Sequence, residues 1–173
     1  LADIDGLPMI VRTVDALSAS KVATITVVLG HEAEQVRAAL SGKSVEFVEN
    51  RDYAAGLSTS LRCGIAAVSQ EVECALVCLG DMPQITRLEI NALLDDFAPT
   101  DGRAICVPTH GGKRGNPVVI GRRFFAEIQD IEGDVGARHL IGAYPELVHE
   151  VEMEGDAILL DIDTPGALAR LTG

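Results

Sequence analysis

An α/β fold built on a parallel sheet is the architecture this sequence predicts, and three observations lead to it. First, Leu76-Val77-Cys78-Leu79 runs apolar without alternation and is then closed by Gly80-Asp81-Met82-Pro83. A strand of a parallel sheet reads this way when both its faces are buried. Second, strand-like runs alternate with helical stretches along the first half, which implies a parallel sheet covered by helices on both sides. Third, the 173 residues carry no internal repeat and no low-complexity linker, so one domain with a substantial core is the simplest organisation.

The elements follow in order. The chain opens Leu1-Ala2-Asp3-Ile4-Asp5-Gly6, with no initiator Met and no leader-like segment. A parallel α/β domain normally begins with a strand, so the natural protein is expected to extend upstream. Gly6-Leu7-Pro8 starts a helix, with Met9, Ile10, Val14 and Leu17 as its apolar face. Residues 24–30 read as a strand, 31–40 as a helix with Val36 and Leu40 inward, 45–48 as a strand, and 50–56 as an irregular loop. Ser58 or Thr59 is predicted to cap a helix running through Leu61, Ile65 and Val68. Thr86-Arg87-Leu88-Glu89 is a capping box, and its helix extends to about Phe97.

The second half is less regular. Residues 104–108 read as a strand, 111–117 as a flexible basic loop, 118–121 as a strand and 122–131 as a helix. Gly133-Asp134-Val135-Gly136-Ala137-Arg138 leads into a helix through Leu140 and Ile141. Residues 148–153 alternate like an edge or antiparallel strand. Residues 157–163 read as a last buried strand, with Thr164-Pro165 opening a closing helix.

Composition narrows the function. A net charge of −12 repels phosphate backbones and argues against nucleic-acid or anionic-membrane partners. Trp is absent and aromatics make up 3%, so base-stacking platforms are not expected. No apolar run approaches the ~20 residues of a membrane span. None of Cys63, Cys74, Cys78 and Cys106 forms a CxxC pair, and buried reduced thiols in a cytoplasmic protein are the expectation.

Five features carry candidate chemistry. Asp81 sits at the carboxyl end of a buried strand, where open α/β sheets bind ligands. A carboxylate there calls for a positive partner, and a divalent metal carrying phosphates suits it; the competing reading is a cap for the helix near Thr86. Asp161 and Asp163 lie two apart near the end of another apolar run, so both would point to one side and join Asp81 around Mg²⁺. Their alternative is a helix cap at Asp163 or Thr164. Lys113-Arg114-Gly115-Asn116-Pro117 is a basic Gly-containing loop suited to a phosphate, or an exposed hairpin turn. The glycines of Gly133-Asp134-Val135-Gly136-Ala137-Arg138 permit close approach of a ligand to a helix start, or form an ordinary loop. Asn50 with Gly56-Leu57-Ser58-Thr59-Ser60 offers hydroxyls and amides to a ribose or base edge, or a plain cap. The four histidines are dispersed, and no GxSxG, HExxH or complete P-loop occurs.

Taken in order, Leu79-Gly80-Asp81-Met82-Pro83, Arg114-Gly115-Asn116-Pro117, Gly133-Asp134-Val135-Gly136-Ala137-Arg138 and Asp161-Ile162-Asp163-Thr164-Pro165 resemble the molybdenum cofactor cytidylyltransferases of the MobA-like nucleotidyltransferase family. The resemblance spans nearly the whole chain. It implies a three-layer α/β/α, Rossmann-like nucleotidyltransferase fold with a mostly parallel mixed sheet. It implies transfer of CMP from CTP to a molybdopterin-type cofactor, with release of pyrophosphate. By the same match Asp81 and Asp163, with Asp161, would hold Mg²⁺. Gly56, Ser58, Ser60 and Gly80 would lie near the nucleotide. Arg114, Asn116, Asp134 and Arg138 would line the acceptor side. The family's opening strand and Gly- and Arg-rich triphosphate loop have no counterpart here, since the chain begins just after that point.

Three rivals stand beside this reading. One is another NTP donor, or a methylerythritol phosphate or sugar phosphate acceptor. Another is a non-catalytic chaperone passing the cofactor to a molybdenum hydroxylase. The last is a redox or regulatory domain using Cys74 and Cys78.

Overall fold

A computed structural model describes residues 3–4, 6–133 and 136–159. Asp3–Ile4 (β1) and Leu7–Pro8 (β2) pair as a short antiparallel hairpin. The helix expected from Gly6 therefore begins later, as Met9–Ser18 (α1), because Pro8 is still extended at φ −56°, ψ 136°. Thr26–Leu29 (β3), Ala33–Ala39 (α2) and Glu46–Glu49 (β4) follow, and β3 and β4 pair in parallel. Val11 and Val14 of α1, Val27 and Leu29 of β3, and Leu40 close a small core between them.

Leu57–Ala67 (α3), Cys74–Val77 (β5) and Arg87–Asp96 (α4) come next. The capping box forms as the sequence predicts: the Leu88 amide donates to Thr86 Oγ1 at 3.1 Å, and the Thr86 amide donates to Glu89 at 3.0 Å. The N-cap of α3 is Gly56, not Ser58 or Thr59. Both hydroxyl residues lie inside the first turn, and Thr59 Oγ1 bonds back to the carbonyls of Gly56 and Asp52.

Ile105–His110 (β6), Lys113–Arg114 (β7), Val118–Gly121 (β8), Phe125–Ile128 (α5), Arg138–Ala143 (α6) and Val148–Glu152 (β9) complete the described elements. The helix expected over 122–131 divides into a 3₁₀ turn at Arg122–Phe124 and the short α5. The main sheet is mixed. β8 lies between β5 and β6, antiparallel to both, so β5 and β6 run in the same direction. β9 adds parallel to β6, with Ile105 opposite Val148 and Thr109 opposite Glu152. The alternation of β9 thus marks a half-exposed strand and does not report its direction.

Alternation along the central strands sorts the core into two layers. Ile105, Val107, Val118 and Ile120 meet Leu61 and Ile65 of α3, Ile128 of α5 and Leu140 of α6. Cys106, Val119 and Val151 meet Ile90 and Leu93 of α4, with Leu17 of α1 alongside. Helices therefore cover both faces, giving the three-layer α/β/α arrangement. Each fully buried Leu or Ile contributes roughly 1.5–3 kcal/mol relative to an exposed one.

The expected strand at 157–163 begins instead with a 3₁₀ turn, Ala157–Leu159, closed by the Leu159 amide on the Asp156 carbonyl at 2.8 Å. A short apolar run fits several local structures, and the Gly155-Asp156 turn decides against extension here. Asp134, Asp161, Asp163 and the expected closing helix lie outside the described residues.

Candidate active site

β5 stops at Val77, and Cys78 and Leu79 continue past it into the α1–α4 core layer. Cys74 and Cys78 therefore do not share one strand. The chain then docks on α1. The buried Thr13 hydroxyl lies 3.4 Å from the Gly80 carbonyl, and a Cβ on Gly80 would stand 2.9 Å from Ile10 Cδ1. On the other side Met82 and Ile85 are buried, and the Ile85 amide donates to the Met82 carbonyl. Asp81 is held between these anchors, half-buried, at the carboxyl end of β5.

The next strand pair brings basic groups to the same place. Gly111 and Gly112, at φ +57° and +76°, turn β6 into β7 as a two-residue hairpin. Lys113 pairs with His110 in that hairpin, so the turn itself takes the structural role weighed for the loop. Beyond it the backbone dips inward. The Gly115 amide donates to the Pro108 carbonyl and the Asn116 amide to the Ile158 carbonyl, both at 2.9 Å. A Cβ at Gly115 would lie 2.2 Å from the Ile158 oxygen, so no larger residue fits without a shift.

The result is a cleft of about 80 Å³ lined by Met82, Arg114, Gly115, Asn116, Arg138 and Ile158, together with Leu159. It joins the residue beside Asp81 to both arginines and the asparagine singled out in the sequence. Arg114 Nε donates to Glu150 Oε1 at 2.6 Å, and both side chains are half exposed. An exposed pair of this kind is worth at most about 1 kcal/mol, so Glu150 orients Arg114 without consuming it. Arg138 forms no ion pair among the described residues.

Gly56, Ser58 and Ser60 lie at a second place. Gly56 takes φ +112°, a conformation that favours glycine. Gly56 and Ser60, with Tyr53, Ala54, Ala55 and Leu57, line an open cleft of about 600 Å³. Ser58 is 1% exposed, and its hydroxyl has no hydrogen-bond partner among the described residues. Asn50 is buried and donates its amide to Thr59 Oγ1 and Ser60 Oγ at 2.9 and 3.0 Å, so its role there is to pin the loop. Gly133, Gly136 and Arg138 relate the two places. The Gly133 carbonyl accepts from the Ser58 amide, Gly136 rests against Leu57, and Arg138 lines the smaller cleft. Tyr53 and Leu57 had no signal in local periodicity.

Burial pushes the Cys78 thiol up to about 12, with the Asp81 charge adding to it. It pushes Cys106 up to about 11, with Asp96 adding to that. Such thiols are poor nucleophiles. They also couple stability to alkaline pH, because the same thiols ionise near 9.0 when unfolded. Their stabilising effect is complete below pH 9 and is lost as pH rises through 11 and 12. The melting temperature should fall more steeply over that range in the wild type than in a Cys78→Ala/Cys106→Ala double variant. Parallel pH profiles would show that these thiols are not the cause.

Among the described residues no group of three His, Cys, Asp or Glu side chains gathers around a common point. Asp81, next to the cleft residue Met82, carries a carboxylate. A hard oxygen donor of this kind fits Mg²⁺, which takes one or two protein carboxylates and completes its shell with water and substrate phosphates. No helix among the described residues is long and apolar enough to cross a membrane.

Comparison with known proteins identifies the family and the fold. The family model described as the MobA-like NTP transferase domain matches residues 1–149. The chain is 30% identical over 144 residues to the molybdenum cofactor cytidylyltransferase of Escherichia coli K12, covering 82% of this chain and 70% of that protein. It is 26% identical over 152 residues to the nicotine blue oxidoreductase of Paenarthrobacter nicotinovorans, covering 85% and 74%. Its fold superposes on the Rv0371c protein of Mycobacterium tuberculosis H37Rv, solved in complex with manganese, at a TM-score of 0.84 and 26% identity, over 99% of this chain and 89% of that one. With a family model matched over residues 1–149, the chain belongs to the family of MobA-like NTP transferase domains.

Proposed function

We propose that the protein is a Mg²⁺-dependent cytidylyltransferase that transfers CMP from CTP to the phosphate of a molybdopterin-type cofactor. The observation that carries this reading is the cleft uniting Met82, next to Asp81, with Arg114, Asn116 and Arg138. Likeness to the Escherichia coli enzyme supports the choice of donor and acceptor.

In the reaction an acceptor phosphate oxygen forms a bond to the α-phosphorus of CTP. The bond from that phosphorus to the bridging oxygen breaks, and pyrophosphate leaves with the electron pair. Asp81 would hold Mg²⁺, with Asp163 and Asp161 as further ligands. The bound ion supplies charge neutralisation on the triphosphate. Arg114 and Arg138 draw the anionic acceptor into line and offset its repulsion from the triphosphate. Asn116 and the Gly115 backbone shape the cleft around it. Gly56, Ser58, Ser60 and Gly80 would border the nucleotide, and Asp134 the acceptor. No nucleophile of the protein's own is required.

The test is pyrophosphate release with Mg²⁺, a molybdopterin-type acceptor and each of CTP, GTP, UTP and ATP. Activity with CTP alone is the expected result. Preference for another nucleotide would reassign the donor, and release with a sugar phosphate or methylerythritol phosphate would reassign the acceptor. Tight cofactor binding without pyrophosphate release would instead favour a chaperone for a molybdenum hydroxylase. Likeness to the nicotine blue oxidoreductase favours a second reading as a redox enzyme. The buried high-pKa thiol of Cys78 argues against thiol redox chemistry as its basis.

A further inference from the structure

Arg114 does not pair with the carboxylate level with it. In the register of the main sheet Thr109 lies opposite Arg114 of β7 on one side and opposite Glu152 of β9 on the other. Side chains opposite one another share a face of the sheet, so Arg114, Thr109 and Glu152 form one row. Glu150, two residues back, stands on the same face, and it is Glu150 that Arg114 reaches. The reason is that Glu152 is already engaged. Its Oε2 accepts from the Thr109 hydroxyl at 2.6 Å, and its Oε1 accepts from the Gly111 amide at 3.1 Å.

These two bonds tie the β6–β7 turn to the end of β9. Thr109 is buried, so its hydroxyl needs a partner inside the protein. Gly111 is the first of the two left-handed glycines of the turn. The backbone adds to the tie: the Met153 amide donates to the Thr109 carbonyl at 2.7 Å, and His110 Nδ1 lies 2.9 Å from the Met153 carbonyl oxygen. From this turn the chain runs through Arg114 straight into the inward dip at Gly115 and Asn116. Arg114 uses only its Nε on Glu150. Its two terminal nitrogens have no partner among the described residues, and they form the fork that matches a phosphate.

We propose that Glu152 is a positioning residue for anion binding in the smaller cleft, acting on Arg114 through the β6–β7 turn. With one oxygen on Thr109 and the other on Gly111, it holds the turn that carries Arg114. The same bonds keep Glu152 from capturing the guanidinium itself. Arg114 is left to Glu150, which takes Nε and leaves the fork for the cleft. The two donors also hold the Glu152 carboxyl below the usual carboxylate range, the Thr109 bond being the larger cause, so the clamp is ionised at neutral pH. An arginine fixed before its anion arrives loses less freedom on binding it. That the anion is the phosphate of an acceptor rests on the nucleotidyltransferase reading, but the test does not require turnover.

Inorganic phosphate is the probe, titrated at low ionic strength by calorimetry and by nitrogen-15 NMR of the arginine Nε–H groups. The Arg114 signal is identified by its loss in Arg114→Ala, and phosphate should shift it in the wild type. Glu152→Ala should raise the phosphate dissociation constant about fivefold. Glu152→Gln keeps an acceptor oxygen and should restore most of that affinity. In an Arg114→Ala background Glu152→Ala should add nothing, because the residue it acts through is gone. A merely structural role would weaken binding equally in both backgrounds. Glu150→Ala, which leaves the turn intact, should give a loss of the same order, again only where Arg114 is present. Unchanged phosphate affinity in Glu152→Ala, or the same loss without Arg114, overturns the inference and leaves the transfer reaction untouched. A wild type whose Arg114 signal ignores phosphate overturns it as well. Phosphate binding that depends on Glu152 through Arg114, without pyrophosphate release from any donor and acceptor, would overturn the reaction and leave this role standing.

Discussion

Asp81→Asn should fold like the wild type and lose on the order of a thousandfold in turnover. Asparagine has nearly the same shape, so the half-buried loop between Gly80 and Met82 keeps its anchors in Ile10, Thr13 and the core. What changes is charge. A neutral amide is a far weaker partner for Mg²⁺ than a carboxylate, and the triphosphate would arrive without the cation that offsets its repulsion from an anionic acceptor. Thermal melts should agree within a few degrees, since substitutions outside the core usually alter stability by less than about 0.5 kcal/mol. Pyrophosphate release across a Mg²⁺ titration is the measurement. Wild-type-like turnover at ordinary Mg²⁺ would refute the metal role.

Gly115→Ala should damage both the fold and the cleft. Its Cβ would be placed 2.2 Å from the Ile158 oxygen and 2.8 Å from the Ile158 carbonyl carbon. The neighbouring bonds, from the Gly115 amide to Pro108 and from the Asn116 amide to Ile158, leave the backbone little room to retreat. Ile158 is itself 1% exposed and packs in the α4 core layer. Overpacking of this kind costs about 1–3 kcal/mol, and a domain of this size loses roughly 2–4 °C per kcal/mol. A fall of about 2–12 °C is expected, with a loss of activity larger than instability alone explains, because Arg114 and Asn116 flank the displaced residue. An unchanged melting temperature would show that the inward dip of this strand is not required.

These two residues also show what the sequence made legible. The apolar run that meets Gly and Pro made a strand ahead of Asp81 readable. That strand lies at Cys74–Val77, is half-buried and pairs antiparallel with β8, because an apolar run marks burial and neither the strand's end nor its direction. The capping box at Thr86 and Glu89 was readable because its bonds span three residues. Ser58 misled, because hydroxyl residues favour caps in general, whereas here Gly56 takes a backbone conformation suited to glycine. The parallel pairing of β9 was hidden, since a two-residue period marks a face and not a direction. Tyr53 was invisible because its seat is Gly30, where a Cβ would lie 2.8 Å from Tyr53 Cβ, and nothing local links the two. Asp134, Asp161 and Asp163 lie outside the described residues, so their roles remain those the family resemblance implies.

The position of β8 bears on how the chain is made. Among the described residues β5 bonds to β8 alone, and Val77 finds its partner in Val118. A growing polypeptide will therefore emerge with β5 synthesised and its edge open until β8 has followed. An unpaired apolar edge of that kind is the feature through which nascent chains associate with one another. High-level expression should accordingly be more sensitive to mutations that weaken β8 than the finished protein's stability would suggest.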